Sequence, residues 1–202
     1  GRFNRFEYFL DNETRKLAGS IGKAIQDFTM AKGEPNRLII HFYKEVSNEE
    51  VKPILEKLKS LAIGDIPVYI VTVYKTESKN LVAFDADYEE LMPLSGTYIK
   101  LQKHAYLLYN NVRYTTKFYT KQDGFPFPIK LRLYCTNKEK LDDPNTVNEL
   151  IDQVYQFSRI YWKSIKQQNL PVTTKYPELV AEIAPHFSKG TMKFAEDSLW
   201  FL

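Results

Sequence analysis

Lysine, arginine and aromatic residues are concentrated in two stretches of the sequence. Residues 97–135 contain one acid, Asp123, and seven basic residues with tyrosines and phenylalanines between them: Lys100, Lys103, Arg113, Lys117, Lys121, Lys130 and Arg132. Residues 159–175 contain no acid and four basic residues: Arg159, Lys163, Lys166 and Lys175. Basic side chains interleaved with aromatic rings suit a groove that binds a polyanion. A strand face exposed to solvent would have the same composition.

The composition excludes several other kinds of site. The single cysteine, Cys135, rules out an intramolecular disulfide framework and a multi-cysteine metal centre. The three histidines are scattered along the chain, which argues against a histidine-rich metal centre. The formal net charge of +3 is too small to indicate nucleic-acid binding by itself.

Length and hydropathy predict one folded domain, or a part of a larger protein. A chain of 202 residues with 44% hydrophobic residues has the size of a single domain and too many apolar residues for a disordered chain. No apolar run approaches the roughly 20 residues that span a bilayer, and no signal-peptide pattern is present. We therefore expect a soluble, cytoplasmic protein without a membrane partner. The start at Gly1 suggests a fragment or a processed product.

The hydrophobic pattern predicts an α/β fold with a mixed β-sheet flanked by helices. The predicted strands are residues 6–10, 38–43, 67–74 and 129–135, with a hairpin formed by 106–109 and 113–118. The predicted helices begin at Asp11 or Asn12, at Ser47 with Glu50 completing a capping box, at Asn145 or Thr146, and near Thr174. The continuous apolar run 38–43 predicts a central strand covered on both faces. The helix that starts at 145 or 146 is expected to extend its apolar face to Ile165.

Three segments resemble the C-terminal part of an Argonaute PIWI domain, which has an RNase H-like fold. They are residues 37–47 (RLIIHFYKEVS), residues 70–78 (IVTVYKTES), and residues 157–159 with 170–181 (LPVTTKYPELVA). The apolar ending 199–202 also fits, and the segments occur in the family's order and spacing. The resemblance is greatest to prokaryotic Argonautes, which act in defence. It implies that residues 1–202 are the C-terminal portion of a longer Argonaute chain.

The resemblance implies a nuclease site with missing acids. Nucleases of this family use acidic residues to hold two divalent cations, which activate water and stabilise the leaving oxygen. The first acid lies upstream of the matched part, and the second falls near Asp11 or Glu13. The third position falls on Tyr43 or Lys44, and neither can replace a carboxylate. The fourth position falls on Glu178. The resemblance therefore favours a domain that does not cleave.

Glu13 and Glu178 can also have an ordinary structural role. Both lie near predicted helix starts, where an acid stabilises the helix N-terminus. A shift of one residue in the alignment would move the third acidic position away from Lys44. The nearest alternative acids are then Asp65, Asp85 and Asp87, which lie in or beyond later loops.

The resemblance also implies contacts to the guide backbone, which fix register without reading bases. It places Lys75 near the guide's seed phosphates, with Ser158 and Arg159 facing the same strand. Three further residues stand at a predicted helix start, where free N–H groups favour an anion: Thr173, Thr174 and Lys175. Arg113, in the first basic stretch, completes the predicted contacts.

The chain end is a predicted metal ligand. In many prokaryotic members the terminal carboxylate helps to hold a divalent cation at the guide 5′ phosphate, which implies that Leu202 ligates Mg²⁺ or Mn²⁺ here. A tail that simply docks on the core would also account for the apolar ending.

Three functions follow from these expectations. The first is guide-directed binding of nucleic acid, RNA or DNA, without cleavage, with a MID domain completing the guide pocket and an effector protein as a possible partner. The alternative is an active guide-dependent endonuclease with an altered metal site. The third is an RNase H-like scaffold that binds only proteins.

Overall fold

The computed structural model describes residues 7, 14–75, 82–89, 91–110, 127–161, 163, 170–186 and 199. The helices are α1 (Thr14–Lys32), α2 (Asn48–Ser60), α3 (Pro144–Arg159) and α4 (Val172–Ile183). The strands are β1 (Leu38–Phe42), β2 (Val68–Lys75), β3 (Thr97–Gln102), β4 (Ala105–Tyr109) and β5 (Ile129–Cys135). Short 3₁₀ helices span Lys138–Leu141 and Ala184–His186. The predicted α/β fold with a mixed sheet flanked by helices is confirmed.

The five described strands form one sheet in the order β1-β2-β5-β4-β3. Strands β1 and β2 are parallel, with Leu38 opposite Val68 and Phe42 opposite Thr72. The other pairs are antiparallel, and Lys75 at the end of β2 lies opposite Ile129. Because β2 extends three residues beyond the last β1 pair, Lys75 projects past the end of β1.

Strand β2 separates two hydrophobic cores. Its side chains alternate between the faces of the sheet, as the pleat requires. Tyr69, Val71 and Val73 pack in a core with β4, β5 and α3. Val68 and Ile70 pack in a second core with α1 and α2.

The prediction that 38–43 is a strand covered on both faces is confirmed, whereas a central position is not seen among the described strands. In the described sheet β1 is the first strand, and all five of its residues are partly buried. Both faces of β1 still pack, because Ile39 contacts the α3 core while Leu38 and Ile40 contact the core of α1 and α2. An apolar run therefore reports coverage of both faces and not position within a sheet.

Two predicted helix boundaries changed. Helix α3 ends at Arg159, because Ile160 leaves helical geometry with φ −98° and ψ 12°. Tyr161 consequently follows the helix, and Ile165 lies outside the described residues. Helix α4 begins two residues earlier than predicted, with Pro171 in extended geometry at its N-cap.

The predicted hairpin of 106–109 with 113–118 is wrong, because β4 pairs with β3 on one side and with β5 on the other. Other predicted boundaries hold or lie outside the described residues. Ser47 and Glu50 form the predicted capping box of α2. Strand β4 pairs with β3 and β5, while residues 6, 8–10 and 113–118 of the predicted strands are among those not described. No helix in the described part of the chain is long and apolar enough to cross a membrane.

Gly19 offers a test of helix α1. It is exposed in the helix interior, and a Cβ added there would meet no atom within 4 Å. Because glycine loses more backbone freedom than alanine in a helix, Gly19→Ala should raise the free energy of unfolding by about 0.5–1 kcal/mol. Urea titration measures this change.

Gly22→Ala is the matched control in the same helix. A Cβ at Gly22 would overlap the side chain of Lys57 from α2, so this substitution should stabilise less than Gly19→Ala. Equal gains at both positions would mean that the Lys57 side chain moves away from α1 without cost.

Candidate nucleic-acid interface

The carboxyl ends of β1 and β2 lie beside the start of α4. His41 follows Ile39 by two residues, and Lys75 follows Val73 by two, so both continue the face of the sheet that packs on α3. Helix α4 contacts β1 on this side. This edge of the sheet therefore brings together residues that are more than 100 positions apart in sequence.

Lys75, Lys175 and Glu178 form a cluster at this edge, which we call the lysine–glutamate cluster. The Lys75 ammonium donates to Glu178 Oε1, and Lys175 Nζ donates to Glu178 Oε2 at 2.8 Å. One carboxylate thus binds two ammonium groups through different oxygens. The cluster carries a net charge of +1 when all three groups are ionised.

The Glu178 carboxyl is held ionised by its partners. Partial burial acts to raise its pKa, but the hydrogen bonds and charges of Lys175 and Lys75 outweigh burial, so the pKa lies below its ordinary value. Its side chain is 27% exposed, that of Lys175 is 22% exposed and that of Lys75 is 63% exposed. The cluster is therefore charged at neutral pH and reachable from solvent.

His41 connects β1 to the first turn of α4. Its Nδ1 lies 2.7 Å from Thr173 Oγ1, and its ring meets that of Phe157 edge-on with centroids 5.8 Å apart. Burial lowers the pKa of His41 to about 4, so the imidazole is neutral at pH 7. A neutral imidazole positions the Thr173 hydroxyl without adding charge to the edge.

The two threonines at the start of α4 have different surroundings. Thr173 is exposed, whereas Thr174 is buried and its hydroxyl donates to the Pro171 carbonyl at 3.1 Å. Pro171 provides no side-chain cap for the helix. The first-turn N–H groups of a helix favour an anion, so Thr173 and the helix start suit a phosphate better than Thr174 does.

Ser158 and Arg159 at the end of α3 also differ. Ser158 is 2% exposed, and its hydroxyl donates to the Tyr155 carbonyl at 2.6 Å. Arg159 is exposed, and its guanidinium lies 5.6 Å from the centre of the Tyr155 ring. A strand on the surface reaches Arg159 directly, but it reaches the Ser158 hydroxyl only if that group turns outward.

Tyr43 and Lys44, at the predicted third acidic position, follow β1. Tyr43 is 68% exposed. Lys44 Nζ lies 2.9 Å from Glu50 Oε1, while Glu50 Oε2 accepts from the Ser47 N–H in the capping box. Lys44 therefore forms an ion pair with an acid in the first turn of α2.

Glu45 is the acid nearest to that position, and the sequence-based prediction missed it. It directly follows Lys44, and its Oε1 lies 2.8 Å from Nη1 of Arg132 in β5. A shift of one residue beyond Lys44 leads to Glu45, so the signal was present in the sequence. The alternative acids lie elsewhere: Asp65 precedes β2, and the Asp85 carboxylate accepts from the Asp87 N–H in a turn after β2.

Glu178 and Glu45 do not form a two-metal site together, because Arg132, the partner of Glu45, lies opposite Thr72 on the other face of the sheet from Lys75. Such a site needs several carboxylates free to bind cations, but Glu178 holds two lysines and Glu45 holds an arginine. Across the described ranges, no three His, Cys, Asp or Glu side chains form a group that would hold a metal ion. Three predicted site residues, Glu13, Arg113 and Leu202, lie outside these ranges.

The neutral state of His41 has a consequence for stability at low pH. With a folded pKa of about 4, His41 binds its proton in the unfolded chain at a higher pH than in the folded one. Stability is therefore lost as pH falls from about 6.5 to 4, by up to about 3 kcal/mol at 1.36 kcal/mol per pKa unit. His41→Asn keeps a polar group for Thr173 and should remove this part of the loss, as measured by urea unfolding between pH 7 and 4.

His186→Asn is the control for this measurement, because His186 is exposed. That variant should lose stability in parallel with the parent. If His41→Asn also follows the parent, His41 is not buried as a neutral imidazole.

Comparisons with known proteins agree with this architecture. No family model matches the sequence. A curated Piwi protein from Archaeoglobus fulgidus is 24% identical over 151 residues, which is 72% of this chain and 34% of the Piwi protein. The chain thus spans about a third of the length of that relative.

A crystal structure of Aa-Ago with externally bound siRNA has a similar fold. The match has a TM-score of 0.60 with 15% identity, and it covers 98% of this chain and 24% of the Aa-Ago chain. The similarity confirms the predicted PIWI-type, RNase H-like fold. Together, the sequence similarity to a Piwi protein and the structural similarity to an Argonaute support a PIWI/Argonaute-like domain.

Proposed function

We propose that the domain binds the sugar–phosphate backbone of a guide strand and its paired target, without cutting the target. The observation that carries the proposal is the meeting of Lys75, Thr173 and Lys175 at one edge of the sheet. Ammonium groups, a hydroxyl and a helix N-terminus are the donors that phosphate oxygens accept from. The similarity to Aa-Ago, crystallised with siRNA, supports a nucleic-acid ligand.

The absence of cleavage is proposed from the state of the carboxylates. Glu178 is balanced by two lysines and Glu45 by Arg132, so a divalent cation would have to displace basic side chains to bind either. That exchange is unfavourable because each displaced cation would remain close to the metal. A guide-dependent endonuclease is the second candidate. Glu45 and Glu178 are carboxylates, the kind of ligand that a divalent cation would need.

The wider assembly is part of the same proposal. Residues 1–202 would form the C-terminal portion of a PIWI domain in a longer chain, with a MID domain completing the guide pocket. The proposal includes Mg²⁺ or Mn²⁺ at the guide 5′ phosphate, with the Leu202 carboxylate as a ligand. An effector protein would convert guide-directed binding into a defence response.

Loss of a backbone contact should weaken binding regardless of base sequence. Lys75→Ala and Arg159→Ala should each reduce the affinity for a guide–target duplex by on the order of 1 kcal/mol and lower the salt slope by roughly one unit. Fluorescence anisotropy of the intact protein with duplexes of different sequence, over a salt series, measures both quantities.

Lys52→Ala is the matched control for these variants. Lys52 is exposed on α2, and its Nζ lies 4.0 Å from Glu56 Oε1. Its removal changes the net charge of the protein by the same amount as Lys75→Ala, at a different ion pair. Its affinity should stay near that of the parent. If all three variants bind alike, the edge of the sheet is not the phosphate site, and failure of the parent to bind at low salt would favour a protein-binding scaffold.

Cleavage assays test the catalytic half of the proposal. The intact protein, loaded with a guide and given a matched target, should leave the target intact in both Mg²⁺ and Mn²⁺, because the carboxylates are occupied by basic side chains. Target cutting that disappears in Glu45→Gln or Glu178→Gln would show instead that these acids bind metal.

A further inference from the structure

We infer that the Glu178 carboxylate occupies, in the unbound protein, the place that a nucleic-acid phosphate takes on binding. Glu178 would then be an internal competitor that restrains the affinity of the lysine–glutamate cluster for phosphodiesters. This inference rests on the proposed function and adds to it a regulating acid within the basic site.

The Glu178 carboxylate and a phosphodiester offer similar acceptors to the two lysines. The two oxygens of Glu178 accept from two lysines that belong to different elements, Lys75 from β2 and Lys175 from α4. The two non-bridging oxygens of a phosphodiester present the same charge and a similar pair of acceptors. A phosphate can therefore replace the carboxylate without any new donor.

Helix stabilisation does not account for Glu178. Helix α4 begins at Val172, so Glu178 lies in the second turn, beyond the first turn in which an acid stabilises the helix dipole. The first turn of α4 contains no acid. The contacts of Glu178 with the two lysines are therefore its main electrostatic role.

Exposure makes the exchange possible without unfolding. The Lys75 side chain is 63% exposed, and that of Glu178 is 27% exposed. The Lys175 side chain is 22% exposed, so the cluster is half-buried, and breaking its ion pairs for a phosphate has a cost that restrains affinity. After the exchange Glu178 lies next to a phosphate and repels it, which lowers the affinity further.

The test compares Glu178→Gln with Glu182→Gln in the intact protein. Glu182 is exposed one turn further along α4, so both variants remove one negative charge from the same helix. Glu178→Gln should bind a guide–target duplex roughly three- to tenfold more tightly at low salt, with a salt slope steeper by up to about one unit for each freed lysine. Glu182→Gln should change neither quantity appreciably, and in a Lys75→Ala background the gain from Glu178→Gln should shrink to the part that comes from the freed Lys175.

Inorganic pyrophosphate provides a second measurement that needs no nucleic acid. It should raise the melting temperature of Glu178→Gln more than that of the parent or of Glu182→Gln, when chloride of equal ionic strength is the reference. Equal or weaker duplex binding by Glu178→Gln, together with equal pyrophosphate shifts, would overturn the inference and show that Glu178 orients the lysines. A parent that does not bind duplex, combined with a selective pyrophosphate shift in Glu178→Gln, would refute the proposed function but keep the anion exchange.

Discussion

Strand β2 is the constraint on which the other elements depend. Six consecutive residues, from Val68 to Val73, are at most 4% exposed, because α1 and α2 cover one face and α3 covers the other. The strand pairs in parallel with β1 and antiparallel with β5, so it fixes where both of them end. Lys75 is its last residue, and burial of the preceding run therefore sets the position of one basic group at the interface.

Charge balance is the second constraint, and it acts at the same edge. Two carboxylates near the ends of the strands are balanced by basic side chains: Glu178 by two lysines and Glu45 by an arginine. Two lysines on one carboxylate leave the lysine–glutamate cluster with a net positive charge, whereas Glu45 and Arg132 balance each other. The proposal that the domain holds a phosphate backbone without cutting it depends on this pairing of the carboxylates.

Local signals were sufficient to predict much of the fold from the sequence. The capping box of Ser47 and Glu50 marked the start of α2, and the hydrophobic pattern indicated helices flanking a mixed sheet. The position of β1 could not be derived, because an apolar run describes covered faces and not neighbours in the sheet. The end of α3 was also missed, since apolar residues continue beyond Arg159.

The candidate site was only partly predictable for a related reason. Lys75, Thr173 and Lys175 were named from a resemblance, but their meeting around Glu178 depends on packing of α4 beside β1. Ser158 and Thr174 are buried because they lie on the side of their helix that meets the core. The order of residues alone does not show which side that is. Glu45 was visible in the sequence, but its pairing with Arg132 required the register of β5 beside β2.

An experimental structure of the intact protein bound to a guide–target duplex would test the central claim most directly. The quantity to measure is the distance from the Nζ atoms of Lys75 and Lys175 to the nearest phosphate oxygen. The account predicts that both atoms lie within hydrogen-bond distance of one phosphate and that Glu178 has turned away. Lysines that remain on Glu178, with the backbone bound elsewhere, would contradict it.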